Sequence, residues 1–154
     1  MRIQPALPFV VFFVVALFVP TLSSACSCYH VPPEQAFEQS SAVFTGRVVG
    51  VTEVQQDGYP LYAVVFQWHA YWKGELNGQV VVFTSTSSAA CGYSFEVGVT
   101  YLVYAYGDHS VYSTDLCTRT SPMYEGLIER EGLGDPKVVG VASKSWDGVK
   151  KLFR

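Results

Sequence analysis

The sequence predicts an all-β domain with short helices, folded as a small five-stranded Greek-key barrel and stapled by two disulfides. Three observations predict it. An even set of four cysteines, Cys26, Cys28, Cys91 and Cys117, follows an N-terminal apolar stretch that reads as an export leader. Beyond the leader, short runs rich in Val, Tyr and Phe are separated by Gly, Asn and Asp, the punctuation of antiparallel strands. No long segment carries the 3.6-residue apolar period of a packed helix.

The leader comes first. Arg2 supplies a positive start, Phe9 to Val19 is an unbroken apolar run, and Pro20 breaks it. Ser23-Ser24-Ala25 then places small residues where a signal peptidase cuts. A membrane span needs roughly 20 apolar residues, so residues 1–25 read as a cleaved signal peptide rather than an anchor. Cleavage after Ala25 makes Cys26 the first residue, with a free α-amino group. The rival is a lipoprotein signal that acylates this cysteine, but Ser23 stands where such a signal wants Leu. Contact with a membrane is expected only if Cys26 is lipidated.

Residues 26–154 have the size of one domain. The whole chain carries a formal charge of −3, and Lys150-Lys151 is its main basic pair, so nucleic acid is not an expected partner. Bonding Cys26 to Cys28 would close a very tight ring, which leaves two pairings in which each takes a distant partner.

Val31 to Phe37 reads as a short helix entered through Pro32-Pro33, since proline is tolerated in the first turn. Ala42 to Val54 is a long strand that Gly46 and Gly50 allow to bend. Asp57-Gly58 is a hairpin turn. Leu61 to Trp72 alternates Tyr62, Val64, Phe66 and Trp68 against Gln67 and His69, a second strand. Gln79 to Thr84 is the third strand, and Ser85 to Ala90 a loop into Cys91. Thr100 to Tyr106 and Val111 to Leu116 are the fourth and fifth, joined by a turn containing Asp108 and His109. Five such strands suggest an OB-fold-like barrel over residues 26–120. Residues 121–154 read as an extension, with a short helix from Ser121-Pro122 through Glu131 and an unassigned tail.

Three stretches carry a resemblance to a known family. They are Cys26-Ser27-Cys28 with His30, Pro33, Gln35-Ala36-Phe37 and Ser40-Ser41-Ala42-Val43-Phe44; Ser88-Ala89-Ala90-Cys91-Gly92 with Tyr101-Leu102-Val103 and Gly107; and Leu116-Cys117. Together they resemble the N-terminal inhibitory domain of the tissue inhibitors of metalloproteinases, a netrin-like module. The resemblance implies the pairs Cys26–Cys91 and Cys28–Cys117. It also implies a protease-binding edge made of Cys26, Ser27, Cys28, Tyr29, Ala89 and Ala90. Glu38 stands where the family has a further bridging cysteine, Ser27 where it usually has threonine, and the second, cysteine-rich domain has no counterpart.

The implied chemistry needs no thiolate. The amine and carbonyl of Cys26 can close a five-membered chelate on the zinc of a target protease, displacing the water that serves as nucleophile. The expected function is therefore secreted inhibition of a zinc metalloprotease by a monomer without a cofactor, acting extracellularly, in a periplasm or at a cell surface. The alternative is a non-inhibitory module of the same fold that binds an extracellular protein or glycan. Cys26, Cys28 and His30 could hold a metal only with reduced thiols; a redox role for Cys-X-Cys has the same requirement. His69 and His109 read as packing and surface residues, Asp108 and Asp115 as turn residues. No nucleophile triad, carboxylate pair or phosphate loop is present, so no enzyme is expected.

Overall fold

The chain reverses tightly at Asp57-Gly58, where both residues have positive φ, 52° and 83°. Two successive left-handed residues make the tight turn that matches strand twist, and Asp-Gly adopts it at low cost. The turn joins β1 (Ala42–Gln56) to β2 (Tyr59–Lys73), with Gln56 opposite Tyr59. The computed structural model describes residues 26–108, 111–124 and 127–138. The expected leader, His109 and residues 139–154 lie outside these.

Beyond the hairpin follow β3 (Val80–Ser85), β4 (Thr100–Asp108), β5 (Val111–Ser113), β6 (Ser121–Pro122) and β7 (Lys137–Val138). One short helix, α1 (Pro33–Gln39), precedes β1; another, α2 (Leu127–Glu131), precedes β7. Lys73 Nζ donates to the carbonyls of Phe37 and Glu38 at 2.9 and 2.8 Å, so a cation meets the carbonyl end of α1.

The expected five-stranded OB-fold-like barrel is not what forms. The strands make one seven-stranded sheet in the order β1-β2-β3-β5-β4-β6, with β7 on β2 and a further β1–β4 pairing. It is mixed: β5 runs parallel to β3 through only Val82↔Tyr112 and Phe83↔Ser113, while the other pairings are antiparallel. With β3–β5 parallel and only two residue pairs long, the arrangement is a mixed, mostly antiparallel sheet rather than the expected barrel.

Ser121-Pro122 also departs from expectation. It is extended and pairs with Leu102 and Tyr101 on β4, rather than opening a helix. Proline lacks an N–H and so suits the outer strand of a sheet. The helix begins later, at Leu127.

The first five residues of β1 are buried without alternation, although a strand covered on one face would alternate. Two cores explain this. Ala42, Phe44 and Val48 pack with Val64, Phe66 and Tyr101 on one side. On that side Phe66 meets Phe44 and Phe95 edge-on, at centroid distances of 5.6 and 5.3 Å. Val43 faces the other way, joining Leu102, Tyr104, Ala36 and Leu127 beneath α1 and α2. Gly46 lets the two sides approach closely, because an added Cβ would lie 3.3 Å from the Gln67 carbonyl and from Phe66.

The second core is closed by a polar clasp. Arg119 donates twice to Glu131, both bonds 2.6 Å long, and once to the Val31 carbonyl at 3.1 Å. The Tyr104 hydroxyl donates to the same carboxylate at 2.9 Å. Beside it, the Thr114 and Thr120 hydroxyls lie 2.8 Å apart, and both donate to the Tyr104 carbonyl. Trp72 adds a bond to the Gly134 carbonyl at 2.9 Å.

Candidate functional site

The segment before Cys91 folds on its own backbone. Ser88–Ala90 is one 3-10 turn, and the Ser87 carbonyl accepts from the amides of Ala90 and Gly92 at 3.1 and 2.9 Å. Cys91 then takes a left-handed conformation, φ 59°, which turns its side chain back towards the N-terminus. Gly92 is obligatory, since a Cβ there would coincide with the Ser85 carbonyl. The Cys91 carbonyl accepts from the Leu116 amide at 2.8 Å, tying this turn to the loop that carries Cys117.

Asp115 shapes that second loop. Its Oδ1 accepts from the amides of Cys117 and Thr118 at 2.8 and 3.0 Å, an Asx-type turn. Its Oδ2 accepts from the Tyr106 hydroxyl at 3.2 Å. Burial, and then the Asp115 charge and hydrogen bond, raise the Tyr106 pKa, so this phenol stays a donor at neutral pH.

Two bridges fasten the N-terminal segment to both loops. Cys26 is bonded to Cys91 and Cys28 to Cys117, with Cα separations of 5.3 and 4.9 Å. They span 65 and 89 residues of sequence, so each stabilises the fold by roughly 4 kcal/mol in the chain-entropy picture. The bridges lie side by side: Cys26 Sγ is 3.8 Å from Cys117 Sγ and 4.0 Å from Cys28 Sγ.

Three of these sulfurs, from Cys26, Cys91 and Cys117, lie within 4.8 Å of one another, which is metal-ligand spacing. Every cysteine is nevertheless in a bridge, and a bridged sulfur is no thiolate ligand. Direct metal binding by Cys26, Cys28 and His30 therefore has no thiols to use, and the redox reading of Cys-X-Cys has no dithiol.

The result is a ridge. Ser27, Cys28 and Tyr29 are exposed, Tyr29 at 81%, and Ser88, Ala89 and Ala90 are exposed beside them across the Cys26–Cys91 bridge. An open groove of about 290 Å³ runs along it between Tyr29-His30 and Leu116–Ser121, with Tyr124 at its rim. Ser88, Gly92, Asp115 and Leu116 support the ridge, although the protease-binding edge that the resemblance implies does not include them. The Gly after Cys91 and the Asp two residues before Cys117 are the signals that mark them. His69 lies apart from the ridge and is exposed on β2 rather than packed as expected.

With this geometry in view, sequence comparison gives the ridge a context. The chain is distantly homologous to metalloproteinase inhibitors. It is 31% identical over 86 residues to metalloproteinase inhibitor 2 of Canis lupus familiaris and 32% identical over 86 residues to that of Cavia porcellus. Each match covers 52% of this chain and 39% of the relative, so the chain spans about two fifths of the length of the curated relatives it matches. No family model matches the chain. The homology reaches only the broad superfamily of these inhibitors. Among the described residues no helix is long and apolar enough to cross a membrane.

Proposed function

We propose that the protein is a secreted inhibitor of a zinc metalloprotease and that the ridge around Cys26 is its inhibitory edge. The observation that carries this reading is the exposure of Ser27, Cys28, Tyr29, Ala89 and Ala90 on one rigid, doubly bridged edge. The distant homology to metalloproteinase inhibitors supports it.

In the mature chain Cys26 begins the protein, and its amine and carbonyl chelate the protease zinc. The zinc belongs to the protease; the inhibitor holds no metal of its own. The Cys26 sulfur takes no part, because it is committed to Cys91. The α-amine has a pKa of about 7.7–8 in peptides, and an adjacent dication favours its neutral, ligating form. Ser27 enters the pocket on the primed side of the scissile position, and its small side chain favours proteases whose pocket there is shallow. The bridges order the edge before binding, which removes an entropic cost from association.

The test compares three forms of the folded protein against a panel of zinc metalloproteases: one starting at Cys26, one with an added N-terminal Ala, and one acetylated at Cys26. The form starting at Cys26 should inhibit, and the other two should be weaker by about 100-fold or more, some 2.7 kcal/mol. Equal potency of all three would end the chelation mechanism, and inhibition by none would end the inhibitor reading.

A further inference from the structure

A second feature lies at the other end of β3. The loop from Gly74 to Gln79 enters β3 at Val80, whereas the ridge begins beyond Ser85. Six strand residues separate the two, roughly 17 Å. Under this loop sits a pocket of about 170 Å³, lined by Glu75, Asn77, Gln79 and Tyr112 together with Leu76 and Val80.

Tyr112 is only 5% exposed and packs in the first core, yet its hydroxyl is buried without a hydrogen-bond partner among the described residues. A buried phenol left unpaired costs free energy of the order of 1–3 kcal/mol, and native structures rarely leave one so without something to fill the place. Its surroundings are acidic. Its pKa is raised by burial first, and then by the charges of Glu75 and Asp108. Asp108 also accepts from the Val111 amide at 3.2 Å, fixing the turn before Tyr112. Glu75 is exposed and makes no ion pair among the described residues. The polar side chains around the pocket are thus a carboxylate, two amides and a phenol, each able to accept a hydrogen bond.

We propose that this pocket binds an alkylammonium or guanidinium group, with Glu75 as its counter-charge and the Tyr112 hydroxyl and the amide oxygens of Asn77 and Gln79 as acceptors. Such a head carries several N–H donors and a positive charge, complementary to the pocket's acceptor oxygens and its carboxylate. An anion would meet Glu75 as a like charge. The group comes from a lysine or arginine side chain of a second protein or from a small free amine. Because the site is at the opposite end of β3 from the ridge, occupation of one leaves the other accessible, and the protein can join two partners.

Titration calorimetry on the folded, disulfide-bonded protein tests this with n-butylammonium, capped lysine amide and capped arginine amide, and with capped norleucine amide as the uncharged control. Saturable binding of a cationic probe is expected, with Glu75→Gln weakening it at least tenfold and Tyr112→Phe several-fold. Both variants should keep the parent melting temperature within a few degrees, which separates lost binding from lost folding. Stronger binding of the capped amides than of butylammonium assigns the site to protein side chains, and the reverse to a free amine. Equal binding of norleucine amide, indifference to Glu75→Gln, calcium bound in place of the ammonium, or no binding of any probe at millimolar concentration would each overturn the proposal. Inhibition assays on the same variants keep the two sites distinct, since Glu75→Gln should leave protease inhibition unchanged.

Discussion

The N-terminal ridge and the clasp over the second core hold two adjacent pieces of chain by opposite means. The ridge is exposed and fastened covalently, through Cys26–Cys91 and Cys28–Cys117. The clasp is buried and fastened by charge and hydrogen bonds, with Glu131 at 7% exposure accepting from Arg119 and Tyr104. An exposed edge has little apolar area to bury, so hydrophobic packing cannot order it, and cross-links do so instead. A buried carboxylate is tolerable only if its lone pairs are met, and here the guanidinium fork and a phenol meet them.

That contrast sets what each region loses when cut. The largest effect is expected on the covalent side. Cys28→Ser with Cys117→Ser should lower unfolding free energy by about 4 kcal/mol in denaturant titrations, mainly through the freed unfolded chain. A loss below 1 kcal/mol would show that the Asp115 turn and the remaining bridge already order this loop. Next comes the clasp. Glu131→Gln leaves Arg119 without its counter-charge and should cost about 3 kcal/mol, the low end for a broken buried pair because Arg119 is partly open to solvent. Replacing Tyr104 with Phe removes only one bond to that carboxylate and should cost about 1.5 kcal/mol. A double-mutant cycle between the two positions would expose their coupling, and strict additivity would contradict a shared network.

The smallest effect near neutrality is that of pH. Burial raises the pKa of Tyr93 to about 12, with the nearby Tyr101 adding to it, and Tyr104, Tyr106 and Tyr112 are also raised, burial being the first cause in each. Phenols in the unfolded chain ionise near 10. The folded state therefore holds these protons more tightly, and their contribution is complete below about pH 9. It is lost as pH climbs from about 10 through 12. Denaturation midpoints should be flat up to about pH 9 and fall above it, with phenolate absorbance rising together with unfolding. Ionisation of all the tyrosines near pH 10 without loss of structure would contradict this.

Much of the strand order was legible because its signals are local. Asp57-Gly58 needs only two residues to announce a turn, and the alternation of Tyr62, Val64 and Phe66 against Gln67 and His69 needs only one strand. The pairing of strands was not legible. Nothing in Val111 to Ser113 says that it will lie parallel to β3, and that short parallel seam is what makes the sheet mixed where an antiparallel barrel was expected. Ser121-Pro122 misled because proline after serine suits a helix start and an outer strand equally. The clasp was invisible for a further reason: Arg119 and Glu131 are ordinary charged residues, distinguished only by a three-dimensional meeting with Tyr104. At the ridge, the cysteines mark themselves by chemistry, whereas the supporting roles of Asp115 and Gly92 depend on backbone positions that only the fold defines.

The closeness of the two bridges has a consequence for how the molecule is made and unmade. With Cys26 Sγ 3.8 Å from Cys117 Sγ, four sulfurs share one small cluster at the surface. A thiolate released at any of them already stands beside a neighbouring bridge and can attack it, so partial reduction leads to reshuffled isomers before it leads to a quietly opened loop. The pairing that defines the ridge is then a matter of timing: the strands must bring Cys91 and Cys117 to their places before oxidation makes the choice permanent.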